Sequence, residues 1–107
     1  MILTTTAEIK GKRILRTLGI ARGNTIRARH VGRDIMASLR TIVGGEVSEY
    51  TKLLAEAREQ ALDRMVEEAH SLGANAVVEV RFSTSEVMSG AAELLAYGTA
   101  VVVEDDE

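Results

Sequence analysis

From Tyr50 to Leu72, apolar side chains return at Leu53, Leu54, Ala57, Ala61, Leu62, Met65, Val66 and Ala69. That is the i, i+3, i+4, i+7 rhythm of a helix with one buried side. Ser48 is suited to the N-cap, and Glu49 sits beside the positive helix end. Gly73 supplies the left-handed residue that closes a helix. The spacing therefore predicts a single helix of about 25 residues, roughly 37 Å long. So long a rod in 107 residues leaves room for little besides a sheet to pack against it.

After Gly73 the period falls from 3.6 to 2. Val78, Val80 and Phe82 are expected on one strand face, with Glu79, Arg81 and Ser83 on the other. Glu86 to Gly90 reads as a hairpin loop. The next run, Leu94 to Val103, is apolar on both faces: Leu95, Tyr97, Val101 and Val103 against Leu94, Ala96, Ala100 and Val102. Such a strand needs cover on both sides. One helix covers only one side, so another subunit is the expected second cover. Ala96, Gly98 and Ala100 share a face, as do Ala57 and Ala61 on the helix, which predicts close helix–sheet packing.

Upstream, Ile2 to Thr6 reads as a short strand and Glu8 to Lys12 as a turn. Arg13 to Ala21 alternates as a second strand, Gly23-Asn24 as a turn, and Thr25 to His30 as a further extended piece. Val31, Ile35, Leu39, Ile42 and Val43 fall on one helical face, predicting a shorter helix over about 31–43. Gly44 and Gly45 separate it from the long one. The acidic Glu104 to Glu107 reads as a solvated tail.

The length suits one domain with a modest core. A net charge of −3 gives no field to attract nucleic acid or an anionic membrane, and 3% aromatics with no Trp leave few stacking platforms. The absence of cysteine removes disulfides, thiolate metal sites and a Cys nucleophile. No apolar run approaches the roughly 20 residues of a membrane span, and no signal-peptide pattern opens the chain. A cytoplasmic protein with neither nucleic-acid nor membrane partners is the expectation.

Several pieces carry a resemblance: Arg33, Asp34, Arg40, Val43-Gly44-Gly45, Tyr50, Leu54, Ala57-Arg58, Ala61, Gly73-Ala74, Ala76-Val77-Val78 and Gly98-Thr99-Ala100-Val101. In this order they resemble the YbjQ-like family of bacterial and archaeal proteins, which bears a heavy-metal-binding label. The resemblance implies a dodecin-subunit-like α+β fold over residues 1–107, assembled as a ring of five subunits. It also implies a divalent metal ion as a candidate ligand. Glu79 departs from the pattern, since the family often has glycine there.

The chemistry-bearing residues are few. Arg58 projects between Leu54 and Met65, inside the apolar stripe of the long helix. It reads either as an anchor for an anionic ligand or as half of an ion pair, with Asp34 the expected partner. Arg33 and Arg40, about 10.5 Å apart on one helix face, flank an acidic ligand or simply face water. His30 and His70 are the chain's two histidines and its candidate metal ligands, but neither has a His or Cys at ligand spacing. Gly44-Gly45 is not followed by the Lys-Ser/Thr of a phosphate-binding loop. Ser83, Ser85 and Ser89 have no assignable His/Asp partners.

The fold expected is α+β: an antiparallel sheet packed on one long helix, with a shorter helix before it. The preferred function is a ring-forming homo-oligomeric binding or scaffold protein, a homopentamer, taking a small anion or heavy metal. The alternative is a small enzyme whose site forms between subunits from Arg33, Asp34, Arg40, Tyr50 and Arg58.

Overall fold

A computed structural model describes residues 1–27, 48–88 and 91–106. Four strands, β1 (Ile2–Leu3), β2 (Lys12–Arg27), β3 (Ala76–Met88) and β4 (Ala91–Asp105), form one sheet in the order β1-β3-β4-β2. One helix, α1 (Ser48–Ser71), lies across one face. The expected shorter helix over about 31–43 and the glycines after it lie outside the described residues, as do Ser89 and Gly90 of the expected hairpin loop. Among the described residues no helix is long and apolar enough to cross a membrane.

The fold is α+β as expected, but the sheet is mixed rather than antiparallel. β2 and β3 each pair antiparallel with β4, whereas β1 pairs parallel with β3. β1 is also shorter than the sequence suggests. Its pairing continues as isolated backbone bonds, Val80 N–H to Thr4 C=O at 2.9 Å and Glu79 N–H to Thr6 C=O at 3.0 Å.

The close packing predicted from small residues is present. Ala57, Ala61, Met65 and Ala69 form the buried row of α1, and Ala21, Ala96 and Ala100 are fully buried beneath it. Gly23 belongs to this contact and is not a turn: β2 runs straight through it and Asn24. A Cβ at Gly23 would strike the Ala61 carbonyl oxygen and the Met65 amide nitrogen, so the glycine lets strand and helix backbones touch. Beside it, the Arg64 guanidinium donates to the Asn24 carbonyl.

The helix ends as a Schellman motif. Gly73 has φ +89°, Ala74 N–H donates to Ala69 C=O at 3.0 Å, and Gly73 N–H donates to His70 C=O at 3.0 Å. Asn75 then starts the sheet. Its side-chain amide donates to Val103 C=O and accepts from Val103 N–H, both at 2.8 Å, imitating a backbone ladder pair at the end of β3.

The expected alternation along β3 fails at one place. Val78 pairs with Thr99 but Arg81 pairs with Tyr97, so β3 carries one residue more than β4 over that interval. This is a β-bulge, and Glu79 within it has φ +53°. The bulge puts Val77 and Val80 together on the helix face, while Val78 joins Ala76, Val101, Val103 and Ile9 on the opposite one. Val80 and Phe82 therefore face the helix side, and Arg81 takes the outer face.

Candidate functional site

The residues grouped from sequence reach the described structure only in part. His30, Arg33, Asp34 and Arg40 lie outside the described residues. Tyr50 falls in the first turns of α1, eight positions before Arg58, about 12 Å along the helix axis. Arg58 is exposed, flanking the buried row rather than lying inside it, and neighbouring Leu54 is 43% exposed. The expectation of a buried guanidinium is thereby corrected. The face that packs on the sheet is the narrow stripe 57, 61, 65, 69, and position 58 is rotated about 100° from it.

His70 is exposed in the last turn of α1. Among the described residues no three His, Cys, Asp or Glu side chains converge as metal ligands. With no cysteine and two histidines in the whole chain, the donor set lacks the thiolates that soft heavy metals prefer. The described residues do not fit a heavy-metal centre.

Charge collects instead at two places. At one end of the sheet a shallow cavity of about 400 Å³ is lined by Glu8, Lys10, Lys12, Arg13 and Asp106. Its cations are largely compensated, because Lys12 pairs with Asp105 and Arg13 with Glu104 across the β2–β4 register. The hydrogen bond and charge of Lys12 hold the Asp105 carboxyl below its usual range. These pairs are solvent-exposed and fix the strand ends only weakly.

The second place is the sheet face turned away from α1, where three side chains form one cross-strand row. Arg22 on β2 and Arg81 on β3 both pair with Tyr97 on β4, so all three point to the same side. Tyr97 is 38% exposed and both arginines are exposed. One Arg81 guanidinium nitrogen, Nη1, donates to Thr5 C=O at 2.8 Å and to Val80 C=O at 2.9 Å. Among the described residues the ion pairs are those of Lys12 and Arg13, and neither arginine of the row has a carboxylate partner. Sequence reasoning missed this row because strict alternation places Arg81 beside Glu79, and the bulge separates them. The available signal was Glu79 itself, standing where the family often has glycine, a residue suited to positive φ.

Comparison with known proteins agrees with this architecture. A UPF0145 protein of Methanosarcina acetivorans is 63% identical over 103 residues, covering 96% of this chain and 97% of that protein. A UPF0145 protein of Thermococcus kodakarensis is 61% identical over 107 residues, covering 100% and 95%. The solved structure of a protein of unknown function from Pediococcus pentosaceus, in the DUF74 family, superposes with a TM-score of 0.61 at 14% identity. It covers 97% of this chain and 98% of that one, and the likeness concerns the fold. A family model described as "Putative heavy-metal-binding" matches residues 1–104, and with the UPF0145 relatives it shows that this chain belongs to the YbjQ family.

Proposed function

We propose that the protein is a ring-forming homo-oligomer that binds a small anion, with no chemistry of its own on the substrate. The observation that supports the oligomer is the apolar surface left exposed among the described residues. On the face away from α1, Ile20 is 63% exposed, Ile26 57% and Ile14 39%. Water contact with that much branched apolar surface is unfavourable, by about 25 cal/mol per Å².

The edges suggest how copies join. β2 is an outer strand of the sheet, and its pairing with β4 is regular from Gly19 to Arg27. On the other side β1 and its continuation end at Val80, and among the described residues β3 has no partner strand on that edge from Arg81 to Glu86. Both open edges lie at the level of the Arg22–Tyr97–Arg81 row. Pairing β2 of one copy with β3 of the next is a heterologous contact, the kind that closes into a ring. Five copies is the number implied by the family resemblance. The helices then lie outside and the exposed isoleucine face lines the interior.

For the ligand, Arg33, Asp34, Arg40, Tyr50 and Arg58 remain the proposed inter-subunit site, with Arg58 now free to reach outward from α1. A heavy-metal role has less support, because His70 stands alone among the described residues and His30 adds one imidazole at most. Native mass spectrometry of untagged protein tests both halves together. It should show a multiple of the 11.6 kDa chain without stoichiometric zinc, copper or nickel. A metal retained one per chain would overturn the anion reading.

A further inference from the structure

We propose that Phe82 of each copy seats against α1 of the next copy, its ring meeting the helix flank that carries Arg64. This contact rests on the ring proposed above and names the side chains that the β2 and β3 edges bring together.

Within one chain the helix is offset from the sheet it covers. α1 packs on β2 and β4 and meets β3 little. Val77 and Val80 of β3 belong to the buried cluster with Met65 and Ala69. Past Val80, the same face of β3 carries Phe82, Thr84 and Glu86, opposite Ala96, Leu94 and Ala92 of β4. All three are exposed among the described residues, and Phe82, the chain's one phenylalanine, is 44% exposed. An aromatic ring on the helix side of a sheet is the kind of side chain that anchors an interface, because it buries a large area with few torsions to fix.

The opposite edge of the sheet supplies the complement. Gly23 lets α1 settle on β2, the outer strand, with the Arg64 backbone in contact above it. From there the Arg64 guanidinium donates to the Asn24 carbonyl of the same strand. The flank of α1 around Arg64 therefore stands beside the β2 edge, and the Arg64 side chain is exposed and makes no ion pair among the described residues. When β3 of the next copy joins β2 with the sheet faces continuous, its Phe82 row rises beside this flank, one strand spacing of about 4.8 Å away. A guanidinium is attracted to the face of an aromatic ring within about 6 Å of its centre. Glu86, on the same face as Phe82, offers the opposite charge to the same cation. Each copy thus presents the row at one edge and the flank at the other, which makes the contact heterologous, as a closed ring requires.

The test uses the full-length protein, whose lack of tryptophan makes Phe82→Trp a lone fluorescent reporter. Its emission should be that of a shielded indole in the assembly and should shift to that of a solvated one as dilution separates the chains, in step with light scattering. Phe82→Asp should raise the concentration at which the assembly dissociates by at least about tenfold, and Arg64→Gln by a few-fold. Both positions are exposed in the single chain, so the variants should keep the wild-type circular dichroism. An assembled Phe82→Trp protein with solvated emission, or undiminished assembly of Phe82→Asp, would overturn this contact while leaving the ring in place. Shielded emission that persists in separated chains would overturn it too, since the ring would then be covered by its own chain. Single chains at every concentration would overturn the ring and this contact together.

Discussion

Thr25 is buried, at 2% exposure, and its hydroxyl has no hydrogen-bond partner among the described residues. An orphaned buried hydroxyl costs about 1–3 kcal/mol. Thr25→Val keeps the shape and removes the polar atom, so it should raise stability by about 1 kcal/mol in urea denaturation at fixed protein concentration. A loss instead would mean that the hydroxyl has a partner in the native assembly. Glu79 presents a second local cost, since φ +53° in a residue with a Cβ is disfavoured by about 1–2 kcal/mol. Glu79→Gly should therefore gain roughly 0.5 kcal/mol after the added chain entropy of glycine, whereas Glu79→Val should lose stability. At Asp105, the depressed carboxyl pKa means that its small contribution is present above the unfolded-state pKa and fades as pH falls through the folded one. Replacing Lys12 with Met should move that titration up toward the ordinary aspartate range, as followed by NMR.

Between elements, the junction of α1 with the sheet is held by a handful of atoms around Gly73 and Asn75. Asn75 makes two side-chain bonds to the Val103 backbone while its own N–H donates to Val101 C=O at 3.1 Å. Asn75→Ala leaves a partly buried backbone pair without partners and should cost about 1–3 kcal/mol, read as a shift in denaturation midpoint at fixed protein concentration. Much of this level was legible in the residues. The 3.6-residue rhythm and the Gly73 stop marked α1, and the two-faced apolar pattern of Leu94–Val103 marked the central strand. Gly23-Asn24 misled, because glycine beside asparagine signals a turn locally, and only the arrival of Ala61 and Met65 overhead explains a glycine inside a strand. The Arg81 row was hidden for a related reason. Periodicity assumes unbroken alternation, and one residue with positive φ reverses every face that follows. The stripe of α1 was also read too wide, which drew Arg58 inside it. A helix lying on alanines and glycine needs only a narrow buried row.

At the scale of the molecule, α1 covers one face of the sheet, and among the described residues the opposite face is buried at one end and exposed along Ile20 and Ile26. β4 meets α1 through Ala96 and Ala100, but its other face carries Tyr97 and Leu95 toward a surface that α1 does not cover. The Ala76, Val78, Val101 and Val103 cluster on that face is buried, with Ile9 packed against it. In the ring we propose, copies joined edge to edge pair the backbone groups of β2 and β3 that have no partner strand among the described residues. We propose that this sheet is shared between copies. Size-exclusion chromatography with light scattering at micromolar concentration tests it most directly. A single species of several 11.6 kDa chains is expected, five in the simplest ring, and a single species of 11.6 kDa would contradict a shared sheet.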